Sequence, residues 1–213
     1  MRVFETPAFP AAPKPRQPQR VPYVACAKPR PCFGPRSPRS NIMPLFSTEL
    51  NSFKDLFVNQ IEDLYDAEKR LVDALPKMAD AANSSQLKQA LRQHLTETQG
   101  HVSRLETIFR ELNLDPKRET CQAMKGLIAE GEEMIKAKGD PDVKDAAIIA
   151  AAQRVEHYEI SGYGTARAFA KRLGMTQAAN LLQQTLSEEE AADRKLNTIA
   201  ESSVNVQAAA TAH

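Results

Sequence analysis

From Ser52 onward, apolar residues return every three or four positions. Phe57, Ile61, Leu64, Leu71, Leu75 and Ala79 fall on one side of a helix. Ser52 is placed to cap it, with Asp55 favouring the helix start. Pro76 lies inside this helix and is expected to kink it, because it removes the bond to the Val72 carbonyl. Asn83-Ser84-Ser85 interrupts the pattern and recaps a second helix, which runs to about Leu112 and stops at Asn113 and Asp115-Pro116. A third, shorter amphipathic segment spans about 119–137. Lys138-Gly139-Asp140-Pro141 closes it and opens a fourth helix, since proline suits a first helical turn. The fourth ends at Leu173, with Gly174 as its stop, and Thr176 is expected to cap a fifth running to about Ser202.

The pattern repeats. Shifted by 91 residues without gaps, the chain matches itself at ten of the 41 positions from 68 to 108. Glu68 falls on Glu159, Glu97 on Glu188, Leu91 on Leu182, Leu105 on Leu196 and Ile108 on Ile199. These are two copies of a helical hairpin, joined by residues 113–140. A helix of about 19 residues in that connection spans roughly 28 Å, enough to cross a bundle. One long crossover between two hairpins is the topology of a ferritin-like four-helix bundle, so the expected class is all-α with a fifth helix in the crossover.

Acids interrupt the apolar faces. At about 100° per residue, Ile61, Leu64, Leu71, Val72 and Leu75 all lie within about 60° of Glu68. Ala152, Val155, Tyr163 and Ala166 surround Glu159 in the same way, whereas Glu97 and Glu188 sit at the edge of their faces. Levels agree: Glu68 stands 15 residues before Asn83 and Glu97 14 after it, and Glu159 and Glu188 stand likewise about Gly174. Antiparallel hairpins therefore bring these carboxylates to one layer. Buried together, they must be protonated, paired with basic residues or bound to cations. No Lys or Arg lies centrally on these faces. A divalent metal pair supplies the missing charge, and imidazole with carboxylate suits iron or manganese. His94 can add a nitrogen ligand, and Glu156 and Asp193 are further candidates one turn away. His101 lies on the same face as His94 and is equally read as a boundary residue, and His157 as surface or dimer contact.

Composition changes the picture at one end. Residues 1–42 hold ten of the 14 prolines and eight basic residues against one acid, leaving the remainder at 20 basic against 26 acidic. The first stretch reads as a disordered, Pro-rich basic tail, or as a start-site artefact, since Met43 offers another beginning. The folded part is then 43–205, followed by a flexible tail, 206–213. An acidic domain is a poor nucleic-acid binder, so no such partner is expected. No run of 18 apolar residues offers a membrane span. Three scattered cysteines without a CxxC fit a reducing cytoplasm.

DLYDAEKRL (63–71), HLTETQGH (94–101), KDAAIIAAAQRVEHYEISGYGT (144–165) and TLSEEEAADRKL (185–196) resemble the YciE/YciF-like stress proteins, over residues 45–205. The resemblance implies a dinuclear metal centre, with iron or manganese, inside a four-helix core. It also implies a bacterial cytoplasmic protein, a homodimer and a role in stress. Carried over by position, Glu68, His94, Glu97, Glu159 and Glu188 are the expected ligands, with Glu156 and Asp193 behind them. One departure stands out. Ferritin-like sites use Glu-x-x-His on two helices, but here Gly100 and Ala191 stand where histidines belong after Glu97 and Glu188. Three functions remain open: a di-iron protein acting on O2 or peroxide, a non-catalytic dimer with structural acids or metal, and iron storage.

Overall fold

The computed structural model describes residues 50–210; the readings made for residues 1–42 lie outside them. The helices are α1 (Phe53–Ala81), α2 (Ser85–Glu111), α3 (Gln122–Lys136), α4 (Pro141–Arg172), α5 (Thr176–Ile199) and α6 (Asn205–Ala210), with a π-helical turn at Ala200–Val204. There is no strand among the described residues. α1 pairs with α2 and α4 with α5, while α2 also packs on α5 and α1 on α4. These four close a bundle, and α3 crosses its outside against α1 and α4.

Local chemistry sets the ends. The Ser52 hydroxyl accepts from the Asp55 amide at 3.1 Å, Ser84 caps α2, and Asp140 accepts from the Asp142 and Val143 amides of α4. Asn113 at φ 57° and Gly174 at φ 73° take the left-handed conformation that ends α2 and α4. Pro76 lies inside α1, as read from the sequence. Two expectations change. Thr176 is the first residue of α5 rather than its cap, because the turn at Gly174 places Met175 in the capping position. The expected tail, 206–213, begins inside α6; residues 211–213 lie outside the described part. The wide π turn leads into α6 and puts Val204 on the same core as Ile199 and Ala200.

Two long-range carboxylates brace the frame. Asp145 of α4 accepts from the Asn83 and Ser84 amides at the α1–α2 bend. Asp66 of α1 accepts from the Cys121 amide at 2.9 Å and from Arg70 and Arg118, tying the crossover to the first helix. Burial works against ionised Asp66, but the Arg70 contact and its other donors hold it below the usual carboxylate range. At Gly162 a Cβ would meet Leu64 Cδ2 at 2.8 Å, so α1 and α4 approach closely there only because no side chain intervenes.

The core divides in two. One apolar cluster takes Leu71 and Leu75 of α1, Leu87 and Leu91 of α2, Ile148 and Ala152 of α4, and Leu196 and Ile199 of α5. The other takes Phe57 and Ile61, Leu105 and Ile108, Tyr163 and Ala166, and Leu182 and Leu186 from the same helices. Besides Asp66 and Asp145, the buried polar residues of the four helices fall between or at the border of these sets: Glu68, then His94, Thr98 and His101, then Glu156 and Glu159, then Thr185 and Glu189. A polar layer thus crosses mid-bundle between two apolar halves.

Candidate metal centre

Antiparallel hairpins with short bends bring mid-helix positions to one height, which is why four helices deliver side chains to this layer. Ligand atoms of His94, Glu156, Glu159 and Glu189 lie within 4.8 Å of one another, and so do those of Glu68, His101 and Glu189. Glu189 belongs to both groups. It therefore stands between two positions that can each hold a cation.

The contacts are close but not aligned as hydrogen bonds. His101 Nδ1 is 2.9 Å from Glu189 and 3.2 Å from Glu68, and His94 Nε2 is 3.4 Å from Glu156 and 3.7 Å from Glu189. Among the described residues, eleven buried side-chain nitrogen or oxygen atoms lack a hydrogen-bond partner, and ten of them are on Glu68, His94, Thr98, His101, Glu156, Glu159 and Glu189. Buried polar atoms are ordinarily satisfied, because leaving one bare costs about 1–3 kcal/mol. Unpartnered donor atoms that converge on common points fit cations. Carboxylate oxygens with imidazole nitrogens form a donor set for iron or manganese.

Electrostatics agree. Burial pushes the carboxyls of Glu156 and Glu159 well above the usual range, and their acidic neighbours oppose ionisation of Glu159 further. Burial also raises Glu68, although His101 beside it works the other way. The histidines respond in mirror image. Burial alone would lower them, but Glu156 and Glu97 bring His94 to about 9. Glu189 and Glu68 bring His101 to about 11. These shifts favour the protonated forms of Glu68, Glu156, Glu159 and both histidines, and a divalent cation would compete with those protons.

Each imidazole also has an outer carboxylate. Glu97 lies 3.5 Å from His94 Nδ1, and Glu188 lies 3.0 Å from His101 Nε2. Arg104 grips Glu188 through both guanidinium arms at 2.6 and 2.8 Å and also donates to Thr185. Burial works against Glu188, but Arg104 and His101 hold it below the usual carboxylate range. His94, joined by Gln93, lowers Glu97 likewise. Tyr163, buried on the layer, donates its hydroxyl to Glu68 Oε1. Such outer partners fix the orientation of inner ligands.

The structure thus brings together four of the expected candidates, Glu68, His94, Glu156 and Glu159, and adds His101 and Glu189. Glu97 and Glu188, with side chains 33% and 29% exposed, belong to neither group but each touches one of its histidines. No Lys or Arg is expected centrally on the acid-bearing faces, but Arg104 reaches Glu188 from α2. Asp193 sits on the outer α4–α5 seam, where Gln153 donates to it and the exposed His157 lies 3.4 Å away. The Glu-x-x-His register lies one residue later than expected: Thr98-x-x-His101 on α2 and Glu189-x-x-Ala192 on α5. Each helix keeps a different half of that motif.

The comparisons agree with this architecture. Residues 52–209 match the family model described as Domain of unknown function (DUF892). Protein YciF of Escherichia coli K12 is 46% identical over 160 residues, which cover 75% of this chain and 96% of that protein. The crystal structure of that stress protein superimposes with a TM-score of 0.71, covering 73% of this chain and 99% of the other. YcfI of Rhodopseudomonas palustris, 43% identical, gives 0.70 over the same shares, 73% and 99%. A Xanthomonas campestris protein, 20% identical, gives 0.60 over 75% of this chain and 99% of its own, and shares the fold.

Proposed function

The chain belongs to the DUF892 family of YciF-like proteins, and from that premise we propose that it is a stress-response protein holding two divalent cations, iron or manganese, and acting on a small oxidant. The observation that carries this reading is the convergence of unpartnered buried donor atoms from all four bundle helices. Glu68, His101 and Glu189 would hold one ion, and His94, Glu156, Glu159 and Glu189 the other. The stress assignment is supported by the relative in E. coli, which is called a stress protein.

Bound iron would supply one-electron chemistry toward O2 or peroxide. The chain's own contribution is positioning and proton control. Glu97 and Glu188 orient the imidazoles, the latter held rigid by Arg104. Tyr163 keeps a hydroxyl proton against Glu68 Oε1, and Thr98 points an unpartnered hydroxyl into the layer. The apolar halves above and below shield the groups between them along the bundle axis.

No helix among the described residues is long and apolar enough to cross a membrane. The reading places the protein in the cytoplasm as a homodimer, in keeping with the family resemblance and the free thiol of Cys121; light scattering on purified protein tests the dimer. The functional test is anaerobic loading with Fe(II), followed by peroxide. Oxidation faster than that of free Fe(II) is expected. A rate equal to free iron would leave only a structural role for the centre.

A further inference from the structure

A cleft opens onto one side of the centre. Between α2 and α5 a cleft of about 80 Å³ reaches inward, lined among others by Gln93, His94, Glu97, Glu156, Ala192 and Lys195. It touches the His94 side of the layer. Neither Glu68 nor His101 lines it, and both side chains are fully buried. Behind His101 stand Glu188 and Arg104, and Tyr163 covers Glu68.

The repeat explains the opening. Ala192 is the counterpart of His101 at the 91-residue shift. One half of the molecule fills this position with an imidazole; the other leaves a methyl group and a cleft. The volume accommodates a few waters' worth of atoms and no larger metabolite. The lining carries the Lys195 ammonium along with the carboxyls of Glu97 and Glu156, the former engaged by His94 and Gln93. A small anion can meet the Lys195 ammonium at this cleft.

We infer that the two cation positions are inequivalent. The one held by His94, Glu156, Glu159 and Glu189 takes small anionic ligands through the α2–α5 cleft, and the one held by Glu68, His101 and Glu189 is sealed. This rests on the reading above that the centre holds two ions.

The full chain loaded with Co(II) tests it. Azide should alter the visible bands of one bound cobalt and leave the other unchanged. A chelator should remove one ion in a fast phase and the second in a slow one. Ala192→Leu, which fills the cleft, should abolish the azide response and the fast phase while still binding two ions per chain. An azide effect on both ions, removal in one phase from the native protein, or an unaltered response in Ala192→Leu would each overturn the inequivalence. Failure of the native protein to bind two cobalt ions would remove the two-ion reading itself, and this inference with it.

Discussion

Adjacent glutamates on α5 have opposite duties. Glu189 is fully buried and belongs to both groups that could hold a cation, while Glu188 pairs with Arg104 and touches the outer nitrogen of His101. Glu189→Gln removes the carboxylate 2.9 Å from His101 Nδ1, so the metal-free protein should melt lower than native, and added metal should no longer raise its melting temperature. Glu188→Gln should keep part of that metal response. It leaves the Arg104 guanidinium short of its partner, costing about 1 kcal/mol, and should weaken metal binding about 10- to 100-fold through loss of orientation. Melting with and without metal separates the two variants.

The histidines make a pH prediction at the same scale. In the metal-free protein His94 and His101 are raised to about 9 and about 11, from an unfolded value near 6.5. A raised histidine stabilises fully below its unfolded value, and that contribution is lost as pH rises through the folded one. The raised carboxyls of Glu156 and Glu159 act in the same direction. Metal-free protein should therefore melt progressively lower as pH increases from 6.5 to 9, and metal-loaded protein should lose much less. Parallel melting series check this. Equal slopes would mean that metal does not replace these protons.

At the scale of the elements, the helices and their levels follow from local information. Ser52, Ser84, Asp140 and Gly174 do locally what their residue types favour, and the repeat pairs the hairpins. What local pattern does not set is rotation about α5. Neighbouring residues differ by about 100°, and the alanines beside the site, Ala191 and Ala192, are too small to mark an inward face. Identity matching then selects Glu97 and Glu188, which are true counterparts, but as outer partners of histidines. The inward Glu189 has Thr98 as its counterpart and so gives no match. Asp145 and Asp66 are equally hidden, because their backbone partners lie 62 and 55 residues away. Asp145→Ala strips two amides at the start of α2 of a charged acceptor, and should cost about 2 kcal/mol. For a domain of this size that is roughly 4–8 °C of melting temperature, readable by circular dichroism.

For the whole molecule, the division between the first residues and the bundle has a direct consequence. The family match spans 52–209, and every core residue described falls after residue 50. A chain begun at Met43 should keep the helical content, the melting temperature and the metal content of the full chain. Loss of any of these would assign residues 1–42 a part in the fold. Metal itself should raise the stability of the bundle, since a ligand bound only to the folded state adds about 2.7 kcal/mol when its concentration is a hundred times its dissociation constant. The most direct measurement of the central claim is elemental analysis of purified protein, loaded anaerobically with Fe(II) or Mn(II) and desalted. Two ions per native chain and none retained by Glu189→Gln is the predicted result. A native chain that retains no metal, or a variant that retains as much as the native chain, would contradict it.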